Sequence, residues 1–147
     1  TIITEHAEEP GPSQLAGRSS DIDKAFAGET VEAILAALAE TSGEWAAKTS
    51  AALSQKSPKA LKLTLAAIRN ARTLSSLDQA LIMEYRLTVR LFEDGEFPEG
   101  VRALLVDKDL KPKWSPSQLD GVTNDLVARY LTPLPPGDDL TFKADNQ

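Results

Sequence analysis

The sequence predicts a mainly α-helical chain. Two sequence patterns favour helices, and the lack of strand-like runs argues against a sheet. Apolar residues recur at intervals of three and four along several segments, which is the spacing of one helix face. Serine or threonine stands directly before several of these segments, where its side-chain oxygen can cap the first amides of a helix. Strand-length runs of β-branched residues are missing, and Leu-Leu-Val at 104–106 is too short to predict a strand.

Residues 1–20 predict a loop or linker. Pro-Gly-Pro at 10–12 suits neither the interior of a helix nor a central strand. A short helix is predicted next, over 22–26, with Ser20 or Asp21 as its cap.

Two more helices are predicted within a helical segment from 21 to 56. Thr30 is the expected cap of the first one. Its apolar stripe consists of Val31, Ile34, Leu35 and Leu38. Ser-Gly at 42–43 ends this helix, and the next one is expected over 44–55. The residues that it offers for burial are Trp45, Ala52 and Leu53.

A C-terminal helical region is predicted from 57 to 132, and Ser57-Pro58 is a strong signal for its start. The serine side chain can accept a hydrogen bond from a free amide, and proline suits the first helical position. The predicted buried stripe of this helix is Leu61, Leu65 and Ile68.

The same helix carries basic residues, although the chain as a whole has a formal charge of −6. Five basic groups and no acidic group lie within 56–72. We interpret them as a solvated face, or alternatively as a face beside a phosphate-bearing ligand or an acidic partner. The members of this face are Lys59, Lys62, Arg69 and Arg72, and the fifth basic group, Lys56, precedes the helix.

The longest helix is predicted from a capping-box pattern at Ser75 and Asp78 to about Asp94. One broad side carries Leu77, Leu81, Ile82, Tyr85, Val89 and Phe92, and another side carries Met83, Leu87 and Leu91. A helix that is apolar over so much of its surface is enclosed by neighbours. Because the chain offers few neighbours, we expect a missing partner, either more chain or another subunit. Glu84 and Arg86 are two residues apart and predict a charged rim or an ion pair, not a catalytic pair.

Beyond a stop at Gly95, a short helix is expected to dock on the body. It would dock through Val101, Leu104 and Leu105. The stretch D-K-D-L-K-P-K-W is expected to turn toward solvent, with Trp114 and Pro116 packing back. Thr123 is the expected cap of the last helix, and a tail is predicted over 133–147. The apolar face of that helix is Leu126, Val127, Tyr130 and Leu131.

Composition excludes several kinds of site. The chain has no cysteine and one histidine, so disulfides, thiolate metal sites and histidine pairs are excluded, and no metal site is predicted. An acidic chain binds nucleic acid poorly, and the apolar runs fall short of the ~18–20 residues that cross a bilayer. We therefore expect neither nucleic acid nor a membrane as a partner, and a cytoplasmic location.

Familiar catalytic motifs do not occur. The chain contains no G-x-S-x-G, no P-loop, no G-x-G-x-x-G and no H-E-x-x-H. The residues by themselves therefore predict a helical module, and no catalytic residue is assigned.

Three stretches carry a resemblance to a known family. They are S-P-K-A-L-K-L-T-L from Ser57, M-E-Y-R-L from Met83, and G-E-F-P-E-G-V-R-A-L-L-V-D-K-D-L-K-P-K-W from Gly95. Together they resemble the C-terminal part of 3-hydroxyisobutyryl-CoA hydrolases, in the crotonase (enoyl-CoA hydratase/isomerase) superfamily. The resemblance is best over 57–116 and looser over 20–55.

The resemblance implies an α/β crotonase fold whose ββα spiral core is not in this chain. That core would supply the oxyanion-hole amides and the carboxylates of thioester hydrolysis. The implied substrate is an acyl-CoA, expected to be 3-hydroxyisobutyryl-CoA of valine catabolism, with CoA as part of the substrate and no separate cofactor. The implied partners are the missing N-terminal core and further subunits of a homo-oligomer.

The resemblance also implies a place for CoA. In many relatives, the short helix after E-G brings an aromatic residue and a lysine over the adenine and phosphates. Leu104 stands where the aromatic residue would be, and Lys108 matches the lysine only with a one-residue insertion, without which Asp107 takes its place. The candidate CoA-binding residues are therefore Lys108, Lys111 and Lys113, and a solvated tail is the alternative.

Two other functions stay open. A hydratase or isomerase of the same superfamily would share this helical region. A helical interaction module without activity would fold alone as a cooperative monomer.

Overall fold

The computed structural model describes residues 6–8, 11–13 and 15–142. Parts of the predicted loop at 1–20 and the end of the predicted tail at 133–147 lie outside the described residues. The described part contains seven α-helices and no strand, which confirms the mainly α prediction. The helices are α1 (Ser19–Ala25), α2 (Val31–Glu40), α3 (Glu44–Ser54), α4 (Pro58–Ala71), α5 (Leu77–Glu93), α6 (Glu96–Val101) and α7 (Asn124–Leu131). Two 3₁₀ turns (Ala16–Arg18 and Leu119–Gly121) and a π turn (Arg102–Val106) complete the fold.

Three helix caps form as predicted. The hydroxyl of Thr30 accepts the amide of Ala33 at 3.1 Å at the start of α2. The hydroxyl of Ser57 accepts the amide of Ala60 at 3.0 Å at the start of α4, where Pro58 holds the first position. Thr123 caps α7 in the same way. Each hydroxyl satisfies an amide that has no partner within its helix.

The cap of α5 lies one residue later than predicted. Ser76, not Ser75, accepts the amide of Gln79, at 3.3 Å. The side-chain oxygen of Gln79 reaches back and accepts the amide of Ser75 at 2.9 Å. Gln79 therefore takes the place predicted for Asp78, and it binds the amide of Ser75, one residue before the cap, and not the amide of the cap itself.

The start of α1 was predicted wrongly. The helix begins at Ser19 and has no side-chain cap, so neither Ser20 nor Asp21 caps it. The 3₁₀ turn over 16–18 runs directly into the helix, and the Ser19 hydroxyl donates back to the carbonyl of Ala16 at 3.2 Å. A preceding turn thus begins the helix within the predicted loop.

Two clusters of buried residues form the core. The first joins α1, α2 and α3, and its buried members are Ala25, Ile34, Leu38 and Ala46. The second joins α4, α5 and α7, and its buried members are Leu63, Leu87 and Tyr130. In α3, Ala46 is buried and the predicted Ala52 is exposed.

The buried face of α4 differs from the predicted stripe. Lys59 and Leu63 are buried, while Ile68 is exposed. Leu61 and Leu65 are only half-buried. Residues four apart lie on one helix face, so the Lys59–Leu63 face meets α5 and α7. The apolar pattern alone did not predict this face because a charged residue begins it.

The helix α5 is apolar on two sides but buried on one. Met83 and Leu87 are buried against the body. Four large apolar residues on another side are exposed, with 72% exposure at Leu77 and 61% at Phe92. We call this side the outer face of α5, and its members are Leu77, Leu81, Tyr85 and Phe92. Within the described residues the outer face stays partly exposed, from 38% at Tyr85 to 72% at Leu77, so the expectation of a missing partner stands as a prediction.

No helix in the described parts of the chain is long and apolar enough to cross a bilayer.

Candidate functional site

The candidate CoA-binding lysines lie on an exposed loop that follows α6. We call residues 107–113 the lysine loop. Lys108, Lys111 and Lys113 are all exposed on it. The structure leaves their ammonium groups accessible to an anion, and their role in binding CoA remains a prediction.

The chain reaches the lysine loop through the π turn over 102–106. Ala103 is buried there, whereas Leu104 and Leu105 are more than half exposed. The prediction that Leu104 and Leu105 dock on the body is therefore wrong for the described residues. A π turn adds a residue to one helical turn and so rotates the following side chains away from the expected face.

Arg102 is the central residue of this region. Its guanidinium binds both carboxylate oxygens of Glu99, with Nε–Oε2 and Nη2–Oε1 distances of 2.8 Å. The same group lies 2.6 Å from Asp107 Oδ2 and 2.8 Å from Asp109 Oδ2. It also donates to the carbonyl of Lys111 at 3.1 Å. These bonds raise the pKa of Arg102, chiefly through Glu99.

Glu99 connects α6 to the far end of the lysine loop. Its Oε1 accepts the backbone amide of Lys113 at 2.6 Å. Hydrogen bonds from Arg102, and then this amide, lower the pKa of Glu99 to about 2. The pKa of Asp109 is lowered for a similar reason, first by Arg102 and then by the amide of Lys111. Glu99 and Asp109 are therefore ionised at neutral pH and hold the loop by charge-assisted bonds.

The prediction that Trp114 and Pro116 pack back is confirmed. A Cβ at Gly100 would lie 3.2 Å from Cη2 of Trp114, so the ring covers α6 closely. A Cβ at Gly121 would lie 2.7 Å from Cβ of Pro116. The first contact returns the chain to α6 after the lysine loop, and the second packs Pro116 against the 3₁₀ turn that follows.

Sequence reasoning did not assign a role to Arg102 or Glu99. A signal was present, since the two residues are three apart in E-G-V-R and two aspartates follow. An acid and a base at that spacing lie on one helix face. The contacts to Asp107 and Asp109 depend on the π turn, which the apolar pattern does not predict.

The basic residues of α4 are used within the chain. Lys59 is 5% exposed, and its Nζ lies 2.5 Å from Asp94 Oδ2 and 3.3 Å from Glu96 Oε2. Lys62 pairs with Glu32 at 2.8 Å and lowers the pKa of that carboxyl. The solvated-face interpretation is therefore wrong for Lys59, because the acidic groups that it meets belong to this chain.

Arg69 and Arg86 also bind within the chain. Arg69 donates to the carbonyls of Gly28 and Glu29 and so holds α4 beside the loop before α2. Arg86 forms a two-pronged pair with Asp139, at 2.5 Å in its shortest contact. The predicted ion pair of Arg86 is thus formed with the C-terminal segment and not with Glu84.

Lys59 belongs to a largely buried polar cluster that joins three parts of the fold, and only its member Asp94 is an exposed residue. Ser57 donates to Glu96, and the hydroxyl of Tyr130 donates to Asp94. Tyr130 is completely buried, and its ring lies 5.9 Å from the Lys59 Nζ. We call these five residues the polar cluster. Every member has a hydrogen-bond or ion-pair partner within the cluster, as is usual for buried polar groups.

The described part of the chain offers few side chains arranged for acid-base catalysis or for metal binding. No group of three or more His, Cys, Asp or Glu side chains is arranged there to hold a metal ion. Acidic groups with a lowered pKa are each bound to an arginine or a lysine. The feature that could bind a ligand is the lysine loop, which carries three exposed lysines and follows the exposed side chains of Leu104 and Leu105.

Comparisons with known proteins agree on one family. The family model described as enoyl-CoA hydratase/isomerase matches residues 1–131. The small ribosomal subunit protein mS47 of Arabidopsis thaliana is 42% identical over 88% of this chain and 33% of its own length. The probable 3-hydroxyisobutyryl-CoA hydrolase 2 of the same plant is 38% identical over 89% of this chain and 37% of its own. The chain thus spans about a third of the length of the curated relatives it matches.

A solved structure gives the same result. The carnitinyl-CoA dehydratase of Mycobacterium thermoresistibile matches with a TM-score of 0.87 and 37% identity, over 97% of this chain and 40% of that one. The match lies in the C-terminal part of the crotonase fold, as the resemblance implied. The chain belongs to the enoyl-CoA hydratase/isomerase family, and it corresponds to that family's helical C-terminal region.

Proposed function

We propose that this chain is the helical C-terminal region of an acyl-CoA thioester hydrolase that acts on 3-hydroxyisobutyryl-CoA. The observation that carries the proposal is similarity to curated hydrolases along almost the entire chain. Identity is 35% over 99% of the chain with 3-hydroxyisobutyryl-CoA hydrolase 1 of Arabidopsis thaliana. It is 38% over 88% of the chain with the mitochondrial hydrolase of Xenopus laevis.

In this proposal the chemistry takes place on a core outside these residues. Water adds to the thioester carbonyl, the carbon–sulfur bond breaks, and the free acid and the thiol of CoA are released. Backbone amides of the core would hold the oxyanion. The chain would cover that core with the outer face of α5 and would present the lysine loop to CoA. The exposure of Leu77 and Phe92 supports such a covering role, because large apolar patches mark interaction sites.

The lysine loop would bind the phosphates of CoA through Lys108, Lys111 and Lys113. An ammonium group attracts phosphate as a point charge and needs no fixed geometry of its own. The exposed Leu104 and Leu105 would border the apolar parts of the same ligand. A homo-oligomer remains part of the proposal, since the outer face of α5 would serve equally as a contact between subunits.

Two other functions have specific support. A hydratase or dehydratase is favoured by the solved relatives, which include an enoyl-CoA hydratase of Rhodobacter sphaeroides at 36% identity and a TM-score of 0.84. A non-catalytic role is favoured by the relative that is called a ribosomal protein, at 42% identity. Several relatives are called mitochondrial, which does not favour the predicted cytoplasmic location.

One assay separates the three functions. The intact protein that carries this chain is incubated with 3-hydroxyisobutyryl-CoA and with an enoyl-CoA. A hydrolase releases thiol from the first, which a thiol reagent detects. A hydratase removes the enoyl absorbance of the second and releases no thiol. A non-catalytic protein does neither. Hydratase activity without thiol release, or no activity on either substrate, would overturn the proposal.

Deletion of residues 83–114 tests the part that this chain plays. Thiol release is expected to be lost, because the deletion removes most of α5 together with the lysine loop. Full activity after the deletion would contradict the proposed role of these helices.

A further inference from the structure

Arg102 joins both ends of the lysine loop to α6. At the near end it binds Asp107 and Asp109, at 2.6 and 2.8 Å. At the far end it donates to the carbonyl of Lys111, and its partner Glu99 accepts the amide of Lys113. A single guanidinium, with five donors in a fixed fork, therefore sets the path of the loop.

The loop holds a backbone conformation that needs such support. Lys108 and Leu110 have φ angles of +56° and +55°, in the left-handed region. This region costs roughly 1 kcal/mol or more for a residue with a side chain and persists where the surroundings impose it. The two aspartates that flank Lys108 are both bound to Arg102. The direction in which Lys108 leaves the backbone is thus fixed through its neighbours.

The same contacts decide the charge that the loop presents. Asp107 and Asp109 stand on either side of Lys108, where free carboxylates would offset its charge and repel phosphate. Both carboxylates instead bind Arg102, and Asp109 Oδ1 accepts the amide of Lys111 at 2.8 Å. The acids of the loop are thus directed at the guanidinium, while their side chains stay 51% and 39% exposed. Three lysines against two aspartates leave residues 107–113 with a net charge of +1.

We propose that Arg102 is the positioning residue of the lysine loop and holds Lys108, Lys111 and Lys113 where they bind the phosphates of CoA. This rests on the proposed function, since it takes CoA as the ligand. Arg102 itself does not touch the ligand. Its effect is on the affinity for the phosphate-bearing part of CoA and not on the pantetheine part.

The test uses the intact protein and two probes, CoA and pantetheine, with titration calorimetry as the measurement. Pantetheine lacks the adenosine of CoA together with its phosphates, so the ratio of the two affinities reports the contacts to that nucleotide part. Arg102→Gln is expected to weaken CoA binding about tenfold and to leave pantetheine unchanged, as for the loss of charge-assisted bonds. Arg102→Lys keeps the charge but not the fork, and it is expected to weaken CoA binding nearly as much.

A second measurement follows the loop itself. Hydrogen exchange of the Lys111 and Lys113 amides is expected to speed up in both Arg102 variants. Exchange in α2 should stay as in the unmodified protein, which shows that the fold is retained. Arg86→Gln is the matched control, since it breaks another half-buried arginine–aspartate pair. It is expected to leave the loop amides and the affinity ratio unchanged.

The outcomes separate this proposal from the proposed function. If replacing all three lysines by methionine leaves the affinity ratio unchanged, the lysines do not bind CoA. The proposed role of Arg102 is then overturned as well. If that change lowers the ratio but Arg102→Gln does not, only the positioning role is overturned. Full recovery of the ratio by Arg102→Lys would also overturn it, because charge without geometry would then suffice.

Discussion

The carboxylate of Glu99 accepts two bonds from one guanidinium and a third from a backbone amide. All three bonds favour its charged form, which is why its pKa falls to about 2. Its partner Arg102 is charged at every accessible pH. At neutral pH both groups are therefore charged, and the lysine loop is arranged around this pair.

The acid side of the pH range tests this pair. Because the folded pKa of Glu99 lies below its ordinary value of 4.5, its contribution is complete above that pH and is lost as the pH falls toward 2. The amide of Lys113, followed by NMR, is expected to titrate with a midpoint near 2. In Arg102→Gln the midpoint should move up toward 4.5, since the largest cause of the shift is removed. A midpoint near 4.5 in the unmodified protein would contradict the contacts described.

At the scale of elements, the polar cluster joins the start of α4, the turn between α5 and α6, and α7. Lys59 and Glu96 are both buried, and Asp94 is bound from two sides. Removing one partner of a buried ion pair leaves an uncompensated charge and typically costs about 3–5 kcal/mol. The packing of these three elements against one another therefore depends on Lys59.

Lys59→Met is expected to lower the free energy of unfolding of the intact protein by about 3 kcal/mol, measured by urea titration. The matched control is Lys48→Met, because Lys48 pairs with Glu44 on the exposed surface of α3. This control should cost no more than about 0.5 kcal/mol. Equal and small effects of the two changes would show that the cluster does not join the elements.

Elements were predictable where their signals are local. The caps at Thr30, Ser57 and Thr123 follow from one residue and its position before an apolar stripe. The buried face of α4 was not predictable in this way. Lys59 can be buried because its ammonium group pairs with the carboxylates of Asp94 and Glu96, which lie more than thirty residues further along the chain.

The candidate site was predictable only in part. The exposed lysines follow from a charged stretch between two helices, and the family resemblance led to the prediction that they bind CoA. The arrangement around Arg102 depends on a π turn and on two residues in the left-handed region. The spacing of apolar residues in the sequence predicts neither of these features. Glycine usually marks the left-handed region, and here Lys108 and Leu110 occupy it instead.

At the scale of the whole molecule, the outer face of α5 is the feature that connects the fold with the proposed function. Four large apolar side chains remain exposed along one side of the longest helix. Curated relatives are about three times as long as this chain. Our central claim is that, in the intact protein, another body of protein covers this face. The helical region would then be one part of a larger fold.

Thiol labelling tests this claim most directly, because the chain has no cysteine of its own. Phe92→Cys places a thiol on the outer face, and Glu93→Cys places one about 100° further round the same helix. The alkylation rate of each site in the intact protein is read from peptide masses. We expect the thiol at position 92 to react at least about a hundredfold more slowly than the one at 93, because it reacts only when the contact opens. Equal rates would show that the outer face of α5 is open to solvent and would contradict the account.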